Sequence, residues 1–165
     1  MKIVLFFILL NIVFSCRPIN SHGQKIYSNL KFALKHKGRV KHFSLKNKGL
    51  TTFPNEVLTF SELEILDLSS NLLTQIPPSI SQLKKLKVLI LVKNHIKFLP
   101  KEITHLKNLE QLHLWGNELE SLPNNIMHLR KLKKLSIAYN LISNKEALSI
   151  KKKLPNCDIW YYFLK

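Results

Sequence analysis

Seven histidines, two cysteines and ten aspartates and glutamates are the side chains of this 165-residue sequence that could ligate a metal, attack a carbonyl or trade a proton. Their spacing brings few of them together. His105 and His128 stand 23 residues apart, but two imidazoles with no carboxylate or cysteine beside them make a poor metal site. Asp67 is the one acid within the short alternating segments described below, so no carboxylate pair is set up for general acid–base work. No activated nucleophile and no glycine-rich phosphate loop is present. Cys16 and Cys157 are too few for a disulfide scaffold; Cys157 reads as a small buried hydrophobe. The residues therefore predict recognition without catalysis, and neither a cofactor nor a metal.

The residues suited to recognition recur with a fixed period. Leu86, Leu89, Leu91, Asn94, Ile96, Leu99, Pro100, Ile103 and Leu106 are matched 23 positions earlier by Leu63, Leu66, Leu68, Asn71, Leu73, Ile76, Pro77, Ile80 and Leu83. The same spacing leads forward to Leu109, Leu112, Leu114, Asn117, Leu119, Leu122, Pro123, Ile126 and Leu129. Starts at 40, 63, 86, 109 and 132 place five copies over residues 40–142. Such a period is the mark of a solenoid. Burying seven aliphatics contributes roughly 2–3 kcal/mol each, whereas ordering a whole copy costs about 1–2 kcal/mol per residue. A copy must therefore stack on its neighbours.

Within each copy Leu-x-x-Leu-x-Leu alternates for one short strand, its leucines inward and the residues between them outward. Equal registers force a parallel sheet. The outward positions are His42, Ser44 and Lys46; Ile65, Asp67 and Ser69; Val88, Ile90 and Val92; Gln111, His113 and Trp115; Lys134, Ser136 and Ala138. Three β-branched aliphatics in the third copy, with Trp115 beside them and Tyr139 one step on, describe an apolar patch flanked by polar groups. The candidate binding set is Ile65, Asp67, Val88, Ile90, Val92, Gln111, His113, Trp115, Ser136 and Tyr139. The competing reading is that strands simply favour valine and isoleucine, or that a second copy of the chain covers the patch.

The chain carries 26 lysines and arginines, a formal charge of +16. Lys84, Lys85, Lys87, Lys107, Arg130, Lys131, Lys133 and Lys134 fall just before or at strand starts, so stacking predicts a basic rim. Such a rim suits lipid headgroups, lipopolysaccharide or sulfated glycan; a solvated lysine-rich exterior is the plainer alternative. Asn71, Asn94, Asn117 and Asn140 follow the strands as a buried column able to satisfy turn carbonyls and amides. The prolines after them bar regular strand and predict short helical turns on the outer arc.

The full pattern, Leu-x-x-Leu-x-Leu-x-x-Asn-x-Leu-x-x-Leu-Pro-x-x-Ile-x-x-Leu, resembles the leucine-rich repeat of the 23-residue bacterial type. Secreted or lipoprotein spirochaete leucine-rich repeat proteins are similar, including the lead-in from Tyr27 to Leu34. The resemblance implies an α/β solenoid, a short horseshoe with about five parallel strands on its concave face, and a binding surface of unspecified partner.

The flanks complete the expected organisation. Residues 1–15 have a basic start and an apolar run too short for a comfortable membrane span, as a signal peptide does. Val13-Phe14-Ser15-Cys16 resembles a bacterial lipobox, with Phe14 departing from its usual small residue. That likeness implies lipidation at Cys16; cleavage elsewhere and an uncleaved anchor stay open. Residues 16–24 read as a tether, 25–39 as a cap helix opening at Ser28, with Ile26 as a staple, and 143–165 as a C-terminal cap ending in an edge strand. The expected function is a non-catalytic protein-interaction module of the bacterial envelope, as a lipoprotein or otherwise secreted or periplasmic. Polyanion adhesion through the rim and an intracellular scaffold are the alternatives. A protein is the expected partner, anionic glycan or lipid the next, and a lipid anchor the membrane contact; an exported chain is a poor candidate for nucleic acid. Oligomeric state is left open.

Overall fold

A computed structural model describes residues 25–161. The signal peptide, Cys16 and the tether lie outside the described residues. Seven strands form one parallel sheet in sequence order: β1 (Ile26–Tyr27), β2 (His42–Ser44), β3 (Ile65–Asp67), β4 (Val88–Ile90), β5 (Gln111–His113), β6 (Lys134–Ser136) and β7 (Asp158–Trp160). Register follows the period: Ile65 pairs with Val88, Val88 with Gln111 and Gln111 with Lys134. The repeats supply five of these strands, as the spacing requires, and each cap adds one more.

The N-terminal cap differs from the helix expected over 25–39. Ile26 and Tyr27 pair with His42 and Phe43, which satisfies backbone groups the first coil would otherwise leave open at the sheet edge. Helix α1 is confined to Leu30–Leu34, and its N-cap is Asn29, not Ser28: the Asn29 carboxamide accepts from the Phe32 amide at 2.9 Å. A 3-10 turn follows at Lys37–Arg39. Helix α2 (Asn144–Lys153) is capped by the Ser143 hydroxyl, which accepts from the Glu146 amide, and leads into β7.

Between strands the outer arc carries 3-10 turns at Asn55–Thr59, Pro78–Gln82, Lys101–His105 and Ile126–His128. Pro54, Pro77 and Pro100 stand at the N-caps of the first three, with φ of −75°, −73° and −67°, close to the value the proline ring imposes. Leu66, Leu89, Leu112 and Leu135 point inward from the strands and are fully buried against the arc residues Ile80, Ile103 and Ile126. The leucines of successive coils thus make one continuous core. None of the helices among the described residues is long and apolar enough to cross a membrane.

Candidate functional site

Register aligns the outward side chains in rows across the concave face. One row runs His42, Ile65, Val88, Gln111, Lys134, Asp158; the next runs Ser44, Asp67, Ile90, His113, Ser136, Trp160. Chemistry changes along the ribbon. At the N-terminal end Asp67 is tied to the backbone, accepting from the Ser69 amide at 2.9 Å and from the Ser44 hydroxyl at 3.5 Å. Burial lowers the pKa of the neighbouring His42, against a smaller upward pull from Asp67. The His42 Nδ1 is buried with no hydrogen-bond partner among the described residues.

The centre is apolar. Ile65, Val88, Ile90 and Val92 are half-buried, so the patch is less open than alternation alone suggests. Ser69 and Ala138, expected to face outward, are 5% and 2% exposed, because the chain turns inward there towards the asparagine column. Gln111, His113, Trp115 and Ser136 are half-buried as well.

Aromatic groups gather beyond the centre. The Trp115 ring lies 5.1 Å from that of Tyr139 at 64°, an edge-on contact, and the Lys93 ammonium sits 5.2 Å from the Trp115 centroid. Lys93 and Tyr139 hold φ of 53° and 54°, the left-handed conformation that Asn47, Ser70 and Gly116 adopt at the same position of other coils. At the last coils His113, Lys134, Leu135, Ser136, Asp158 and Trp160 line a hollow of about 260 Å³. The Trp160 indole donates to Asp158 at 2.9 Å and is 60% exposed. The His113 ring stands 3.2 Å from the Gln111 carboxamide, and its pKa is lowered by burial first and by the Lys134 charge second.

Trp160 and Asp158 are absent from the sequence-derived set. Register pairs Ser136 with Trp160, a step of 24 residues instead of 23, so the repeat frame slips by one and misses them. An aromatic residue inside the C-terminal edge strand was the available signal.

The rim is not uniformly basic. Lys85 pairs with Glu62 at 2.7 Å, Lys87 with Glu64 at 2.6 Å and Lys133 with Glu110 at 2.8 Å, each partner one coil earlier. Lys107 donates to the Thr104 carbonyl at 2.9 Å and Lys131 to the Asn108 carboxamide at 2.8 Å. Lys84 and Arg130 make no ion pair among the described residues, and Lys134 lines the concave hollow.

Each column asparagine staples its coil to the one before. The Asn94 amide donates to the Leu68 and Leu91 carbonyls at 3.0 Å, and its oxygen accepts from the Leu73 amide at 3.1 Å. Asn71 and Asn117 repeat this with Leu45 and Leu91 as the earlier carbonyls, and Asn140 with Leu114. Where the first coil has Lys48, its amide donates to the Asn71 oxygen at 2.9 Å. His105 and His128 are exposed on the outer arc, and no group of three potential metal ligands occurs among the described residues. Cys157 is half-buried, its thiol pushed up to about 11 by burial and by Asp158.

Comparison with known proteins agrees with this architecture. The leucine rich repeat pattern matches residues 38–96 and 84–142. A leucine-rich repeat protein of Leptospira interrogans is 42% identical over 78% of this chain, with a TM-score of 0.74; the chain spans 33% of that protein. The ectodomain of the Arabidopsis thaliana receptor kinase GASSHO1/SCHENGEN3, solved in complex with CASPARIAN STRIP INTEGRITY FACTOR 2, is 33% identical over 65% of this chain and 13% of its own, with a TM-score of 0.58. Internalin C2 of Listeria monocytogenes shares the fold at 21% identity, with a TM-score of 0.68 over 81% of this chain and 56% of its own. No curated protein matches the sequence. With the asparagine-stapled coils and the parallel concave sheet, the match places this chain in the leucine-rich repeat family.

Proposed function

We propose that the chain is a non-catalytic protein-interaction module that binds its partner through the concave face. The observation that carries this reading is the gradation of that face: a polar end whose acid is internally bonded, an apolar centre at Ile65, Val88, Ile90 and Val92, and an aromatic end where Trp115 packs edge-on with Tyr139 and Trp160 lines a hollow. Aromatic anchors beside a pocket are what interface hot spots are built from. The receptor ectodomain bound to its factor supports a protein as the partner class. Three of the eight rim cations are already paired, which favours the face over adhesion along the whole rim.

Replacing Ile90 and Trp115 together by serine should abolish capture of the partner in pull-downs with the full chain while leaving the far-ultraviolet circular dichroism unchanged. Replacing His105 and Met127 on the outer arc should change nothing. Capture that survives the concave pair and fails with the arc pair overturns the assignment. Export to a bacterial envelope and lipidation at Cys16 belong to the same proposal, supported by the apolar leader and the lipobox likeness. Two or three acyl chains anchor firmly where one does not. Fatty-acid label should enter the wild type and not Cys16→Ala; label absent from both removes the anchor.

A further inference from the structure

Three of the rim cations that pair with no carboxylate among the described residues line one place. Lys107, His128, Arg130 and Lys131, from two consecutive coils, line a hollow of about 480 Å³ that no acidic residue lines. The contrast with the neighbouring positions is the informative point. Lys85, Lys87 and Lys133 each meet a glutamate from the preceding coil at 2.6–2.8 Å. At the hollow the hydrogen-bond acceptors are neutral: for Lys131 the Asn108 carboxamide one coil earlier, with Glu110 near enough to feel the Lys131 charge, and for Lys107 the Thr104 carbonyl of its own coil. One neutral acceptor fixes the direction of an ammonium group without cancelling its charge, and leaves two of its three N–H donors unused. Arg130 contributes a guanidinium with no ion pair among the described residues, and its planar fork suits bidentate contact with an oxyanion. Lys84 holds the position equivalent to Lys107 and Arg130 one coil earlier and extends the field.

We propose that this hollow binds a phosphate monoester. Three cations and an imidazole around a hollow with no carboxylate in its lining match a doubly charged anion with several acceptor oxygens better than a singly charged carboxylate. A volume of about 480 Å³ exceeds what a bare phosphate fills and leaves room for the group it esterifies. The monoester could be a lipid headgroup or a soluble phosphate ester; both offer the same chemistry. The site lies on the rim and outer arc and does not depend on the concave-face reading.

The test titrates the full chain with inorganic phosphate at constant ionic strength and follows the His128 ring and Arg130 side-chain signals by nuclear magnetic resonance. Saturable shifts are expected. Replacing Arg130 and Lys131 by glutamine should weaken binding by about a hundredfold, since a charge-assisted contact is worth roughly tenfold in affinity. Replacing Lys85 and Lys87 by glutamine removes the same formal charge from paired positions and should change affinity by no more than about threefold, the part expected from net charge alone. Absence of a saturable shift, or equal losses in the two double variants, overturns the site. A second arm uses phosphatidylcholine vesicles with and without phosphatidic acid. Retention that requires phosphatidic acid, and that the Arg130 and Lys131 replacements abolish, assigns a lipid headgroup. Phosphate binding without such retention assigns a soluble ester.

Discussion

Leucine at position 94 would keep the volume of the asparagine and lose its bonds. Asn94 is 5% exposed and serves the Leu68, Leu91 and Val92 carbonyls and the Leu73 amide. Stranding buried backbone groups costs about 1–3 kcal/mol in total for the least compensated of them. Asn94→Leu should therefore lower the unfolding free energy by about 3 kcal/mol, read from the urea midpoint, and a loss below about 0.5 kcal/mol would show that the turn finds other partners. Gly116 is constrained by its backbone instead. Its φ is +68°, and an added Cβ would meet Lys93 at 3.6 Å, an ordinary contact. The space is available and the backbone conformation is the constraint, so Gly116→Ala should cost about 1 kcal/mol and Gly116→Asn less. Lys93 and Tyr139 accept that conformation with bulky side chains on either side of Trp115. Asn47 and Ser70 hold the same conformation away from the aromatic pair, so it is a requirement of the repeat turn.

Stacking turns a sequence period into columns, and one column alternates in sign: Lys41, Glu64, Lys87, Glu110, Lys133. Glu64 lies 3.4 Å from Lys41 and 2.6 Å from Lys87, and Glu110 lies 2.8 Å from Lys133. Each exposed pair contributes only about 0.2–1 kcal/mol, yet a one-residue shift of the Glu64 coil would break its pairs on both sides, with Lys41 and with Lys87, so the column reinforces register. Glu64→Lys would set three like charges in a row. It should destabilise by about 1–2 kcal/mol, against about 0.5 kcal/mol or less for Glu56→Lys. The difference should shrink in about 1 M salt, where the screening length is near 3 Å; a difference that persists there points to packing instead. These elements also show what the chain makes legible. Leu89 and Asn94 announce strand and turn because their inward roles depend only on their own coil and the period. Rim cations do not announce their partners so readily: Lys87 looks unpaired until Glu64 is placed beside it by the same 23-residue step. Trp160 escapes because the frame slips just before it, and Ile26–Tyr27 reads as helix because two strand residues are too few to show alternation. Cys16 lies outside the described residues.

For the whole molecule, acid bears on folding through groups at both the concave face and the rim. Burial lowers the pKa of His42 and His113 from the ordinary 6.5, opposed at His42 by Asp67 and aided at His113 by Lys134. Hydrogen bonds from Lys87 and Lys133 lead the lowering of Glu64 and Glu110 from the ordinary 4.5, against a smaller opposing effect of burial. In every case the unfolded chain takes up the proton first as pH falls, so the sign is the same: stability is fully present above the ordinary value and is lost as pH drops through the depressed one. Two stages follow. The histidine stage opens below about pH 6.5 and the glutamate stage below about pH 4.5. Urea midpoints measured from pH 7.5 downward should decline through both stages, with added salt weakening the lower one because its ion pairs are exposed. Replacing His42 and His113 by glutamine should flatten the upper stage and leave the lower. A decline between pH 7 and 5 that is unchanged in that double variant would place the proton-sensitive groups elsewhere in the chain. The same protonation puts charge on the concave face at His113, beside Lys134 and the aromatic hollow. Capture of an apolar partner should therefore weaken over the histidine stage before the fold itself gives way, and comparing the pH dependence of pull-down with that of the urea midpoint separates the two events.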